Sequence, residues 1–264
     1  MIYFISLLYG VISFLSSLVG AICGIGGGII IKPVLDIFHL DDVTTISFLS
    51  GCSVLAMSLY SVLKQMKSNR TLIDLKSITP LAIGAAIGGI VGKQMFQSII
   101  HICINLNIVQ MIQAGCLIIL TIFTYIYNLY KHNIKTYELN NHYISFIVGC
   151  ILGILSSFLG IGGGPINLVI LSYIFSMNIK VAAVNSLYII LCSQCTSLLF
   201  TFITNTIPPF SLKTLIFMII AGVLGGVVGT YMNRKMKEET VNILFSYIMI
   251  VIIVINIYNI LKFI

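Results

Sequence analysis

A chain of 264 residues that is 59% hydrophobic and only 8% charged is excluded from the soluble globular class, in which about a quarter of residues carry charge. Apolar runs fill nearly its whole length, which is the pattern of a helical membrane protein. The net charge of +7 would suggest nucleic acid only in a soluble chain; here it points to basic loops beside anionic lipid.

Residues 2–22 form the first apolar segment. They lack a positive leader region, since the first basic residue is Lys32, and they have a counterpart at 143–159, so they belong to the fold rather than to a signal peptide. Gly24-Ile25-Gly26-Gly27-Gly28 opens a shorter segment, 25–40, interrupted by Lys32 and Pro33. Sixteen residues rise about 24 Å as a helix, short of the ~30 Å hydrocarbon core. Asp41-Asp42 looks like a helix start, with carboxylates where the helix dipole favours them. Spans are expected at 43–64, 78–97 and 107–129, with a basic loop carrying Lys64, Lys67, Arg70 and Lys76 after the first of these. Gly84, Gly88 and Gly92 make a small-residue face against which another helix can pack closely. A polar linker, 131–141, follows.

The plan then repeats. Expected segments lie at 143–159, 164–178, 182–205, 211–231 and 241–262. Gly24–Gly28 returns letter for letter as Gly160-Ile161-Gly162-Gly163-Gly164, an offset of 136. Ile87–Gly92 returns as Leu224–Gly229, with Gly222 and Gly226 echoing the close-packing face. The chain therefore divides into a first membrane repeat, 1–130, the linker 131–141, and a second repeat, 142–264.

Call the side of residue 1 side A. Alternation of the spans puts ten of the fourteen Lys and Arg residues on side B. Side B is then cytoplasmic by the positive-inside rule, and both termini lie outside. Each half makes a net odd number of crossings, so the halves are inverted-topology repeats, as in many secondary transporters. The expected fold is an all-α integral membrane protein of two inverted repeats, with eight or ten membrane segments and a short glycine-broken helix in each half.

Three readings compete for the glycine runs. Helix packing needs fewer than four glycines in five positions, each costing about 1 kcal/mol of helix propensity. A phosphate loop would need a Gly-Lys-Ser/Thr sequence that neither run contains. A helix break at membrane depth is favoured, because matching glycine-interrupted segments in two halves mark a transporter site. Helices starting at Gly26–Gly28 and Gly162–Gly164, with Pro165 in a first turn, would aim two positive ends into one cavity and bind an anion. Lys32 either adds charge to that site or snorkels to the interface.

The remaining candidates are polar groups in apolar spans. Ser50, Asn167, Asn185, Ser186 and Gln194 either bind substrate or make interhelical hydrogen bonds. The substrate-binding set is thus Gly24, Gly26, Gly27, Gly28, Lys32, Ser50, Gly160, Gly162, Gly163, Gly164, Asn167, Asn185, Ser186 and Gln194. Asp36 either carries a coupling proton or sits at the interface. Cys192 and Cys195 match C-x-x-C, yet they sit inside an apolar span, and all seven cysteines are expected to be ordinary buried residues. His39, His101, His132 and His142 form no cluster, so no metal, cofactor or catalytic residue is expected.

Two halves that each carry Gly-x-Gly-Gly-Gly followed by proline, at Pro33 and Pro165, resemble the sulfite exporter TauE/SafE family. Ala182–Leu187 also resembles a family segment in which threonine often stands where this chain has Asn185. The resemblance covers nearly the whole chain. It implies a permease for a small sulfur-containing anion such as sulfite or a sulfonate, with alternating access and possible coupling to a proton or cation. An anion channel and a membrane thiol oxidoreductase using Cys192 and Cys195 are the alternatives.

Overall fold

The structure is a computed structural model that describes residues 2–38, 40–67, 75–102, 106–139 and 141–263. Arg70 and His39 lie outside the described residues. Ten α-helices follow one another: α1 (Ile2–Cys23), α2 (Gly28–Phe38), α3 (Val43–Met66), α4 (Leu75–Ile102), α5 (Leu106–Tyr130), α6 (His142–Leu159), α7 (Pro165–Ile174), α8 (Ile179–Ile203), α9 (Leu212–Lys235) and α10 (Glu238–Phe263). Among the described residues there is no strand.

Eight of these helices are long and apolar enough to cross a bilayer. The other two are not. With 11 residues in α2 and 10 in α7, each rises only about 15–17 Å, half of the ~30 Å core. The described residues therefore hold eight candidate spans, and neither α2 nor α7 is long enough to add another. The short helices are also shorter than the apolar runs that contain them: α2 starts only at Gly28, the last glycine of its run, and α7 starts at Pro165, after its run, and ends at Ile174. Large apolar side chains such as Leu7, Ile119, Ile147, Phe202, Ile216 and Val254 are exposed on the long helices. In water such patches would drive association; in a bilayer they face lipid.

Hydrogen bonds fix which helices run together. Ser6 and Thr214 hydroxyls bond at 3.0 Å, Ser13 donates to Met218 O at 2.8 Å, and Asn233 Nδ2 donates to Ile22 O at 2.5 Å. Low numbers meet low and high meet high, so α1 and α9 are parallel. Tyr9 Oη donates to Asp41 Oδ2 at 2.6 Å. This bond brings the chain back, through α2, to the end where α1 began, and α3 then runs alongside α1. Gln97 Nε2 donates to Thr206 Oγ1, and Thr45 Oγ1 to Pro209 O at 3.1 Å. So α4 and α8 finish where α1, α3 and α9 start, which we call the near end. At the far end Lys131 Nζ donates to Asn242 Oδ1 at 2.6 Å, joining the finish of α5 to the start of α10.

Glycines set the closest helix pair. A Cβ on Gly84 would lie 2.9 Å from Cys150 N, one on Gly88 2.9 Å from Cys150 C, and one on Gly92 2.9 Å from Ile154 Cα. The expected close-packing face is thus filled by α6, parallel to α4. In the second half the equivalent face is displaced from its expected position. Gly225 and Gly229 press on Phe14 and Leu18 of α1, whereas Gly226 meets Met57 of α3 and Gly222 sits between Ser13, Ser17 and Ser53. Small residues matter here because lipid tails remove the hydrophobic drive between helices and leave close packing to hold them.

The helix pairs exchange between halves. Helix α1 packs mainly on α9 and α6 on α4, while α3 and α8 meet at the centre. Around that centre Ile22, Ile25 and Ile29 cluster with Leu152, Leu159, Ile161 and Leu168.

Candidate functional site

Each glycine run stops one helix and starts the next. Gly24 and Gly160 have φ of 72° and 66°, the left-handed conformation that ends helices and favours glycine. Ile25 N–H donates back to Gly20 O at 3.1 Å, and Ile161 N–H to Ser156 O at 3.3 Å, the six-residue closure of a Schellman end. Gly26 and Gly162 are left-handed again, at 74° and 76°. Gly28 then opens α2, and Gly164 precedes Pro165, the first residue of α7, where the missing N–H costs nothing. The runs are breaks in the helical path, and they are close-packing points as well.

Each break docks on the opposite half. A Cβ on Gly24 would sit 2.6 Å from Ala183 C on α8, and one on Gly160 2.7 Å from Ser47 Oγ on α3. Ala183 and Ser47 are themselves 136 residues apart, so this is one contact made twice. A Cβ on Gly26 would meet Ile190 Cδ1 at 3.2 Å; on Gly162, Val54 Cγ1 at 2.7 Å and Gln194 Nε2 at 3.3 Å; on Gly163, Ile190 Cδ1 at 2.7 Å. Val54 and Ile190 are another 136-residue pair. Gly28 lies against the second run, with its Cβ position 2.7 Å from Ile161 C. The starts of α2 and α7 are thus neighbours; Ile30 and Ile31 donate to Gly27 O and Asn167 to Gly164 O, and Pro165 carries no N–H, so the positive helix ends rest on few open amides.

Lys32, one turn into α2, is only 1% exposed, so it does not snorkel. Its ammonium donates to Leu159 O at 2.8 Å and to Gln113 Oε1. Gln113 Nε2 donates in turn to Phe158 O at 2.6 Å. Phe158 and Leu159 close α6, whose last carbonyls form the negative end of its dipole. A Cβ on Gly160 would be 3.5 Å from Lys32 Nζ. A first-half lysine therefore belongs to the second-half glycine run. The Phe96 ring lies 5.9 Å from Lys32 Nζ and 5.2 Å from Lys93 Nζ.

The other candidates divide. Gln194 reaches both Gly162 and Gly51. Asn167 Nδ2 lies beside Gly163, and Asn167 Oδ1 is buried with no hydrogen-bond partner among the described residues. Ser50 and Ser186, one turn before Val54 and Ile190, are completely buried, and their hydroxyls have no partner among the described residues. Ser17 Oγ beside Gly27 and Ser47 Oγ beside Gly160 are unpartnered too. Asn185 is not brought to the runs: its Nδ2 donates to Val181 O at 2.9 Å in its own helix. The cysteines depart from their expected burial. Cys23 is buried, but Cys52, Cys116, Cys150 and Cys192 are partly exposed and Cys195 is exposed on α8; Cys103 lies outside the described residues. Among the described residues no group of His, Cys, Asp and Glu could hold a metal.

The glutamines of α5 were missed in the sequence. Gln110, Gln113, Thr121, Thr124 and Asn128 are all buried and fall on one helical stripe. Polar residues at helical period in an apolar span were the available signal.

Two polar cavities lie at opposite ends. The near cavity, 380 Å³, is lined by Leu40, Asp41, Asp42, Thr45, Asn107 and Gln110 among others. The far cavity, 350 Å³, is lined by Lys131, Ser176, Asn178, Glu238, Glu239 and Asn242 among others. Leu40–Val43 and Ser176–Ile179 are 136 residues apart, so the cavities occupy equivalent places at the ends of α2 and α7. Neither lining includes a glycine of either run. Beside the second run, Ser156, Gly163, Gly164 and Asn167 help enclose about 10 Å³, about one water's worth of space.

Comparison with known proteins agrees with this architecture. The family model described as "Sulfite exporter TauE/SafE" matches residues 9–255. The chain is 25% identical over 269 aligned residues to a Bacillus subtilis (strain 168) protein described as "Probable membrane transporter protein YunE", covering 92% of this chain and 93% of that one. No solved structure matches the chain. Eight candidate membrane spans among the described residues, two short helices opening at matching glycine runs and a family match over nearly the full length lead to one conclusion: the chain belongs to the sulfite exporter TauE/SafE family of membrane transporters.

Proposed function

We propose that this transporter moves a small sulfur-containing anion, sulfite or an organosulfonate, by alternating access about the two glycine runs. The observation that carries the proposal is the meeting of the starts of α2 and α7 between Val54 and Ile190, with the Lys32 ammonium buried beside Gly160. Two positive helix ends and one cation favour an anion. The buried hydroxyls of Ser17 and Ser47 offer donors to a polyoxygen group. A sulfur oxyanion is the family's substrate class by its description, and it fits that donor set.

The two halves, 1–130 and 142–264, act as inverted repeats. In support, α6 runs parallel to α4 and opposite to α1, although α1 and α6 occupy the same place in their halves. The exchanged contacts Gly24–Ala183 and Gly160–Ser47 are what a two-fold relation between such halves requires. Rocking one half against the other would open the near cavity to the runs in one state and the far cavity in the other. The basic loops at the far end face the cytoplasm and both termini face outward. An ion gradient or the substrate's own gradient supplies the energy.

Flux of radiolabelled sulfite and short sulfonates into vesicles containing the purified chain tests this reading. It predicts saturable uptake of at least one of these anions. Uptake that rises linearly with concentration would make the protein a channel, and no uptake of any of them would remove the anion-transporter assignment.

A further inference from the structure

Lys32 and Asp36 lie one turn apart on α2, and both are buried, at 1% and 8% exposure. The lysine is committed to the second glycine run through Leu159 O and Gln113. Asp36 lies one turn further along the same face of the helix. Its carboxylate accepts a long hydrogen bond, 3.5 Å, from Gln110 Nε2, and Gln110 lines the near cavity. Gln110 and Gln113 are one turn apart on α5. Two hydrogen-bonded pairs, Gln110–Asp36 and Gln113–Lys32, therefore stand one turn apart on both helices, the first at the near cavity and the second beside Gly160. Ile29, Leu35 and Val109 are buried apolar residues of the same two helices.

Other charged and titratable groups around α2 are few. Tyr9 on α1 bonds Asp41, which precedes α3 together with Asp42. Lys93 on α4 lies across Phe96 from Lys32. Lys262 on α10 donates to Ile37 O at 2.8 Å, and Asn259 to Pro33 O at 2.9 Å. From α5 the pair's hydrogen bonds among the described residues go to the uncharged Gln110 and Gln113.

We propose that Asp36 is the binding site of a coupling proton, which reaches it from the near cavity and is carried with the anion held at Lys32. The inference rests on the anion-transport reading above and adds the coupling ion to it. A buried ionised carboxylate needs a compensating charge. With no substrate, the Lys32 ammonium one turn away supplies it. When an anion takes up that ammonium, the compensation is lost, and Asp36 accepts a proton on a carboxylate oxygen from water in the cavity. The reverse holds equally: a protonated Asp36 no longer competes for Lys32, so the anion binds more tightly. The coupling is reciprocal by linkage. Its sign is definite: acid favours anion binding, and one proton enters the site with each anion that neutralises Lys32. No bond other than that to the proton forms or breaks.

The experiment uses vesicles containing the full chain, a trapped pH-indicating dye and two probes, methanesulfonate, whose charge does not vary over the physiological pH range, and sulfite. Wild type should take up protons with the anion and concentrate it when the outside is acidified. Asp36→Asn should exchange labelled for unlabelled anion while losing proton uptake and uphill accumulation, and its anion affinity should stop depending on pH. Asp36→Glu keeps the carboxylate and should restore proton uptake, which separates coupling from folding. In wild type the affinity change across the titration should fall in the usual range for coupled sites, roughly 5–150-fold. Anion flux in wild type with no proton movement, or proton uptake unchanged in Asp36→Asn, overturns the inference and leaves the transporter reading standing. No flux of either probe in wild type overturns both.

Discussion

Gly24→Ala puts the docking of the first glycine run to a test of magnitude. The new methyl would lie 2.6 Å from Ala183 C and closer still to its Cα, where carbons rest at about 3.5–4.0 Å. The obstacle is backbone, so no rotamer change relieves it, and α8 must move by roughly 1 Å. Overpacking of this kind costs about 1–3 kcal/mol. The φ of 72° at Gly24 adds left-handed strain of about 1–2 kcal/mol for any residue with a Cβ. Together these give about 2–5 kcal/mol, or roughly 4–20 °C of melting temperature at ~2–4 °C per kcal/mol for a chain of this size. Gly115→Ala is the internal control: its Cβ would meet nothing within 4 Å, and alanine should gain about 1 kcal/mol of helix propensity there. Size-exclusion profiles of the detergent-purified variants after stepwise heating give the comparison. If Gly24→Ala melts with wild type and Gly115→Ala, the run does not dock on α8 as described.

Further expectations concern transport and topology. Lys32→Met should abolish anion uptake and also lower stability by about 1–3 kcal/mol, because it leaves the Gln113 carbonyl and the Leu159 carbonyl without their donor; vesicle flux and heating profiles report the two effects separately. Replacing Cys192 and Cys195 together with serine should leave uptake within about twofold of wild type, since surface substitutions away from structural features are usually worth less than ±0.5 kcal/mol; loss of uptake would revive a thiol mechanism. Reporter fusions should place the 131–141 linker and residue 1 on opposite sides of the membrane, and finding them on one side would end the inverted-repeat reading.

Much of this fold could be read from the sequence because a bilayer leaves few choices. Backbone groups in lipid must bond within their own helix, so long apolar runs such as 107–129 and 241–262 are helices, α5 and α10, extended here by a turn or less at most ends. The glycine duplication identified the helix breaks because glycine is the residue that tolerates the left-handed turns at 24, 26, 160 and 162. What could not be read is long-range. Nothing local to Lys32 shows that it closes the end of α6, 127 residues away. The choice between snorkelling and burial depended on that partner. Asn185 stands out for its polarity, yet its Nδ2 bonds the carbonyl four residues back within one helix, an outcome that composition does not distinguish from a ligand contact. Gln110 and Gln113 were overlooked because an average over an apolar span hides two amides, although their spacing puts them on one face.

The central claim is that the two glycine runs are the facing halves of one anion site. It is tested most directly by measuring saturable uptake of labelled sulfite and methanesulfonate in vesicles containing wild type, Gly26→Leu or Gly162→Leu. A leucine at 26 would be driven into Ile190, and one at 162 into Val54 and Gln194. The account predicts uptake in wild type and its loss in each single variant, with both proteins still inserted in the membrane. Uptake at the wild-type rate in both variants would contradict it and reduce the glycines to packing.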